Sequence, residues 1–247
     1  MKPIYFLSDL HLGATYCHDN RDKEKLVAEF LLSLCDKAQS VYLLGDILDY
    51  WFEYRTVVPR GYIRFFGALA RLVDSGVKIK WFIGNHDIWL FDYLREEIGI
   101  EVIDGFSIEE INGKKFFLSH GDGVGRLPRG FRLIRNIFRN RVCQKLYASI
   151  HPRWTIPFAH RWSSSSRMEK SAPVPFRGEE ESLVQFARET LVDHPDINYF
   201  VFGHRHELVD IKLTPNCSFI ILGDWIDKFS FGIFDGETFE LKKLTKG

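Results

Sequence analysis

Five short runs of β-branched and aromatic residues in this chain each end on a cluster of Asp, His or Asn, and that recurrence restricts the fold more than any other feature. Asp9-Leu10-His11 follows the run at residues 4–8, and Gly45-Asp46-Ile47-Leu48-Asp49 follows the run at 41–44. Gly84-Asn85-His86-Asp87 closes the run at 78–83, Ser119-His120-Gly121-Asp122 that at 114–118, and Gly203-His204-Arg205-His206 that at 199–202. Each cluster sits where a strand hands over to a loop. Helical periodicity over residues 23–38, 62–74 and 88–97 alternates with the first three runs, a β-α-β-α rhythm that implies an α/β sheet. After Gly99 the pattern changes to hairpins. Runs at 106–111 and 114–118 flank Asn112-Gly113, a dipeptide suited to a type I′ turn. Further strands are expected at 209–213 and 219–222 and in a terminal hairpin turning at Asp235-Gly236. Residues 179–192, acidic in their first turn, read as a helix.

Length and charge then set the organisation. The 247 residues suit one domain, or one domain with an insertion. Lys plus Arg and Asp plus Glu both total 33, so the chain is neutral overall, which excludes a uniformly basic surface. The charge is nevertheless segregated. Residues 126–177 hold ten Arg and two Lys against the single acid Glu169, a net of +11, which leaves −11 on the rest. Within that segment Phe131, Ile134, Phe138, Val142 and Leu146 recur at helical spacing, while Arg132, Arg135, Arg139 and Lys145 ride another face. Trp154, Ile156, Phe158 and Trp162 follow, then serines 163–166 as a hinge or linker, and a Pro-flanked exit at Pro173 and Pro175. The expected division is a core of residues 1–125 and 178–247 with an inserted basic helical cap at 126–177. Cys17, Cys35, Cys143 and Cys217 form no C-x-x-C pair and are expected to be reduced. The four-residue apolar run before Asp9 is too short for a signal-peptide core, and no run approaches the roughly 18 apolar residues of a membrane span. These features point to a cytosolic protein, with membrane-surface contact left open.

Residues i and i+2 of an extended segment project to one side, so Asp9 with His11, and His204 with His206, can each aim two ligands at one point. A carboxylate such as Asp46 can bridge two cations about 3.5–4 Å apart, with Asn85 and His120 completing the second site. This N/O mixture suits Mn, Fe or Zn better than Ca. Glycines before Asp46, Asn85 and His204, and after His120, admit close backbone approach. Such a pair clamps a phosphoryl group and lowers the pKa of a water, so the implied reaction is hydrolysis of a phosphate ester or anhydride.

D-x-H, G-D-x-x-D, G-N-H-D, H-G-D and G-H-x-H in this order resemble the calcineurin-like metallophosphoesterase superfamily. That resemblance implies a two-layer β-sandwich flanked by helices. It places Asp9, His11, Asp46 and His206 at one metal and Asp46, Asn85, His120 and His204 at the other. It makes Asn85 and His86 catalytic, with His86 protonating the leaving oxygen or holding the phosphate, and brings Asn85, His86 and His204 to the substrate. Free imidazole titrates near neutral pH, which suits such an acid. The basic, aromatic-rich insertion after H-G-D, with Asp49-Tyr50-Trp51 and Leu222-Gly223-Asp224-Trp225, further resembles the UDP-2,3-diacylglucosamine diphosphatases of lipid A biosynthesis. The expectations are then a lipid-linked nucleotide sugar split into UMP and a lipid monophosphate, two divalent ions (Mn²⁺ first, Fe²⁺ or Zn²⁺ as alternatives), and a monomer peripheral on the cytoplasmic face of the inner membrane. No stable nucleic-acid partner is expected. The best-known branch of that family carries Arg where this sequence has His86, so either a divergent branch with the same reaction or a relative with another phosphoanhydride substrate fits. A nucleic-acid phosphodiester substrate and a non-catalytic scaffold are the remaining alternatives.

Residues outside these motifs have simpler readings. Asp49, Asp87, Asp122 and Asp224 are balanced between turn capping and orienting a ligand. His18, His151, His160 and His194 read as surface or packing residues. The basic stretch has three readings beyond a solvated face: an anionic membrane, an anionic lipid substrate or a nucleic-acid backbone. Ser166 and Arg167 are candidates for substrate contact.

Overall fold

A computed structural model describes residues 1–17, 19–125, 127, 129–168 and 175–244, with backbone alone for 162–168. The chain forms two sheets packed face to face. In the first, β1 (Ile4–Leu7), β2 (Ser40–Leu44), β3 (Lys78–Phe82) and β4 (Glu101–Ile103) run parallel. The second holds β5 (Phe106–Ile111), β6 (Lys114–Ser119), β7 (Tyr199–Phe202), β8 (Leu208–Thr214) and β9 (Cys217–Leu222) in the order β5-β6-β7-β9-β8. The closing hairpin, β10 (Ser230–Phe234) and β11 (Phe239–Lys243), joins the first sheet antiparallel to β1. Crossovers run through α1 (Asn20–Leu32), α2 (Ile63–Asp74) and the short α3 (Tyr93–Glu97). Three cap helices follow β6: α4 (Arg129–Arg139), α5 (Arg141–Ala148) and α6 (Pro152–Met168); α7 (Ser182–Asp193) leads back to β7.

Strand alternation explains the layers. Ile4, Phe6, Tyr42 and Leu44 face Phe116, Leu118, Val201 and Ile220 across the space between the sheets, with Phe6 stacked on Tyr42 and on Phe116. The opposite set, Tyr5, Leu7, Val41 and Leu43, packs under α1 and α2. Phe117, Phe200, Phe202 and Phe219 bury the outer face of the second sheet beneath α7. With both faces covered, central strands such as Ile-Tyr-Phe-Leu are apolar throughout, as buried parallel strands require.

Three local departures have physical causes. The helix expected at 88–97 shrinks to α3 because the Glu53 carboxylate accepts the backbone N–H groups of Phe91, Asp92 and Tyr93 at 2.6, 2.8 and 3.2 Å, capping the helix only there. Strand β4, three residues long, is too short to show alternation. The amphipathic stretch from Phe131 to Leu146 is two helices, since Asn140 Oδ1 accepts from the backbone N–H of Val142 and Cys143 and starts α5 afresh. Its apolar residues accordingly do not share one face: Phe138 packs against the core, whereas Ile134, Val142 and Leu146 are exposed. Residues 163–166, expected as a hinge or linker, are helical backbone in α6. His18, Arg126, Glu169, Lys170 and Pro173 lie outside the described residues, as do the side chains of Trp162, Ser166 and Arg167.

Helices α4 and α5 are held by aromatic contacts to the loops that follow β2 and β3. Trp89 Nε1 donates to the Phe138 carbonyl at 2.9 Å, Tyr147 stacks on Trp89, and the Tyr50 and Tyr147 hydroxyls meet at 3.1 Å. Arg135 pairs with Asp122 at 3.1 Å and Arg139 with Asp104, joining basic cap to acidic core.

Candidate metal centre

The loops leaving β1, β2, β3, β6 and β7 converge at one end of the sandwich. Asp9, His11, Asp46, His204 and His206 all take left-handed backbone conformations, with φ between 42° and 66°. L-residues with such values are uncommon, and held strain of this kind concentrates at functional sites. Asp9–His11 and His204–His206 therefore converge through left-handed turns beyond the strand ends. The extended i, i+2 geometry expected from sequence is not what brings them together. Two glycines make the approach possible: a Cβ at Gly45 would stand 2.6 Å from the His120 ring, and one at Gly84 would strike Asp46.

Three sets of side chains emerge, Asp9–His11–His206, Asp46–His120–His204 and His11–Asp46–His86, and within each the ligating atoms lie inside 4.8 Å of one another. Asp46 links them. Its Oδ2 is 3.6 Å from His11 Nε2, 3.4 Å from His120 Nε2 and 4.0 Å from His86 Nε2. Asp9 Oδ1 lies 3.4 Å from His206 Nε2 and 3.7 Å from His11 Nε2. In His120, His86, His11 and His206 the other ring nitrogen is turned outward. His120 Nδ1 is 2.8 Å from the Leu44 carbonyl, His86 Nδ1 3.1 Å from the Asp49 carbonyl, His11 Nδ1 3.3 Å from the Asp49 carboxylate and His206 Nδ1 3.7 Å from Asp224. A carbonyl only accepts, so His120 donates its Nδ1–H to Leu44 and turns Nε2 to Asp46 and, at 3.3 Å, to Asn85 Oδ1. Lone pairs and carboxylate oxygens aimed at shared points fit divalent cations, and the outward Nδ1 contacts are the partners that orient metal-ligating imidazoles.

Electrostatics follow from this crowding. Burial would raise the Asp46 carboxyl, but the His120 and His86 fields hold it well below the usual range. Burial likewise opposes the charged form of His120, and Asp46 more than compensates, lifting it well above ordinary imidazole. Burial would raise the Asp9 carboxyl, but His206, the His11 contact and His120 together bring it down to about 2, while burial and the neighbouring His120 push His204 down to about 4. His11 is lowered by burial.

The calcineurin-like phosphoesterase family model matches residues 2–208. This chain belongs to that family. A UDP-2,3-diacylglucosamine hydrolase of Porphyromonas gingivalis is 42% identical over 255 aligned positions, covering 98% of this chain and 97% of the relative. Proteins of the same name from Neisseria meningitidis and Haemophilus influenzae are 27% and 25% identical, covering 93% and 91% of this chain and 92% and 91% of theirs.

In this phosphoesterase all seven ligand candidates and His86 meet at the one centre. The four balanced aspartates separate into distinct parts. Asp49 faces both His11 and His86, at 3.3 and 3.5 Å. Asp87 accepts from the Gly84, Asp46 and Ile47 backbone N–H groups and from Trp81 Nε1, fixing the loop that carries Asp46; burial and the Asp46 charge raise its pKa to about 6. Asp224 caps the turn at 226–228 and faces His206, and Asp122 holds the cap through Arg135. His160, read from sequence as a surface or packing residue, sits with its ring 5.4 Å from Tyr50, and no motif in the sequence marks it. His151 and His194 are exposed, and the four cysteines are free thiols.

Proposed function

We propose that this chain is a dimetal hydrolase that cleaves the pyrophosphate bond of UDP-2,3-diacylglucosamine, releasing UMP and 2,3-diacylglucosamine 1-phosphate. The observation that carries the reading is the shared Asp46 carboxylate facing the Nε2 atoms of His11 and His120, in a chain 42% identical to a relative of that name over nearly its full length. Asp9, His11, Asp46 and His206 hold one ion, and Asp46, Asn85, His120 and His204 the other. Mn²⁺ is the proposed metal, with Fe²⁺ and Zn²⁺ compatible. When bound, such ions supply positive charge against the phosphoryl oxygens and lower the pKa of a water toward neutrality.

The protein's own groups do the rest. Asp49 and the Leu44 carbonyl keep the imidazoles turned inward. His86, partly exposed at the rim of the centre, reaches the departing oxygen and hands it a proton or holds the phosphate beside Asn85 and His204. The cap, residues 126–177, covers the substrate. Its inward aromatic and aliphatic residues, Phe138, Tyr147, Ile156 and Ala159, provide walls for acyl chains.

The outward face of the cap suits an anionic membrane. Leu133, Val142, Leu146, Trp154 and Phe158 are each at least 60% exposed, among exposed Arg129, Arg132, Arg141, Lys145 and Arg153. Apolar side chains framed by cations are the composition of an interfacial helix surface. None of the described helices is long and apolar enough to cross a membrane. A monomer working at the cytoplasmic face of the inner membrane is the arrangement we propose. Incubation of the Mn²⁺-loaded protein with the lipid nucleotide should release UMP, and turnover of a soluble dinucleotide without UMP release from the lipid would refute the substrate assignment.

A further inference from the structure

The loop after β1 and the loop before α2 enclose a cavity of about 420 Å³ beside the metal centre. Leu12 and Gly13, which follow His11 directly, and the buried Tyr62 form its floor. Burial and the nearby Asp49 charge both raise the Tyr62 hydroxyl pKa, so the cavity shares the field of the centre. Its rim carries Arg21 at the start of α1, Arg60 in the loop, and Arg64 in the first turn of α2. All three are exposed, and among the described residues none is paired with a carboxylate. The acid on the rim, Glu24, is already engaged, its Oε1 accepting the Arg64 and Phe65 backbone N–H groups. His160 from α6 closes the cap side, and burial lowers its pKa, leaving a neutral imidazole that can donate and accept.

Three cations from two separate segments around one concavity select an anion, and the guanidinium fork matches phosphate geometry. Beside Leu12, Tyr62 and Ile63, the lining is polar or charged, which suits a nucleotide better than twin acyl chains. The volume falls within the range of small-molecule sites and accommodates a nucleotide rather than a free phosphate alone.

We propose that this cavity is the subsite for the nucleoside monophosphate half of the substrate. The assignment rests on the reading above, that the substrate is a lipid-linked nucleotide. Arg60 and Arg64 hold the nucleotide phosphate from the α2 side, Arg21 from the α1 side, and His160 meets the ribose or base. The same groups retain UMP after cleavage, so UMP is a competitive product inhibitor.

Titration calorimetry of UMP into the Mn²⁺-loaded protein tests this. The double variant Arg60→Gln/Arg64→Gln should bind UMP about tenfold more weakly, the scale of losing charge-assisted hydrogen bonds. Arg21→Gln, on another helix, should weaken it in the same direction. Arg71→Gln, an exposed change near the far end of α2, should leave affinity within about twofold and so excludes a loss of general surface charge. Undiminished UMP affinity in the double variant, or no binding of millimolar UMP by wild type, overturns the subsite even where wild type cleaves the lipid nucleotide. Arginine-dependent UMP affinity in a protein that does not cleave the lipid nucleotide sustains the subsite and refutes the substrate assignment instead.

Discussion

Oδ2 of Asp46 lies 3.4 Å from Nε2 of His120, while the other ring nitrogen of His120 is 2.8 Å from the Leu44 carbonyl. The carbonyl accepts the Nδ1–H hydrogen bond, so Nε2 is the ring atom turned to the carboxylate, and Asp46 favours positive charge there, lifting the His120 pKa. A buried carboxylate set against a ring nitrogen needs positive charge between them, supplied by the Nε2 proton or by a cation in its place. His11 repeats the arrangement on the other side of Asp46, at 3.6 Å, with Asp49 behind it.

Asp49 is therefore a positioning residue for two imidazoles at once. Asp49→Ala should weaken metal binding about 10- to 100-fold, the range found when the partner of a metal-ligating His is removed. Competition with a fluorescent chelator measures it; unchanged affinity would mean that His11 keeps its orientation without the carboxylate.

His86 touches Asp46 at 4.0 Å and Asp49 at 3.5 Å, and 14% of its side chain is exposed. His86→Ala should keep its metal content and lose about 10²–10⁴ in kcat, the contribution of a positioned proton donor. Metal analysis alongside steady-state kinetics separates the two, and loss of metal would make His86 a ligand instead.

Much of this centre was legible because ligand-type residues closed five separate apolar runs, a pattern that survives without any knowledge of backbone angles. The angles themselves were not legible. Asp9 and His11 suggested strand alternation, yet both lie past Leu7 in left-handed conformations, uncommon even for Asp and His, that the surrounding packing holds. The cap misled in a similar way. Periodicity from Phe131 to Leu146 continued across Asn140, whose side chain restarts the helix and turns the apolar residues to different sides. Strand β4 and the Glu53 cap of α3 depend on tertiary partners, so a window of sequence carries little trace of them.

The outer cap face should bind anionic vesicles. Replacing Leu146 and Trp154, 63% and 69% exposed, with serine removes apolar groups worth about 1.5–3 kcal/mol each when buried, so sedimentation with phosphatidylglycerol vesicles should fall at least tenfold. Added salt should weaken wild-type binding as well. Equal sedimentation of both proteins would contradict a membrane-facing cap.

Far from the centre, Glu109 accepts from Tyr42, Lys80 and Ser107 at 2.9, 2.8 and 2.8 Å. Burial opposes its charge, yet the Lys80 contact and the hydroxyls leave its pKa below the ordinary value. A depressed carboxyl pKa stabilises the fold above the unfolded value near 4.3, and that stability is lost as pH falls through the folded value. Glu109→Gln should accordingly cost about 1–2 kcal/mol at pH 7, with the gap to wild type closing below about pH 4. Denaturant melts at both pH values check it; a gap that widens in acid would reverse the sign.

The shared carboxylate is tested most directly by metal stoichiometry. Elemental analysis of Mn²⁺-loaded wild type should give two ions per chain, and Asp46→Asn should lose both sites while hydrolysis falls about 10³-fold, matching several kcal/mol of lost charge stabilisation. An Asp46→Asn protein that retains two ions and its rate would contradict the account.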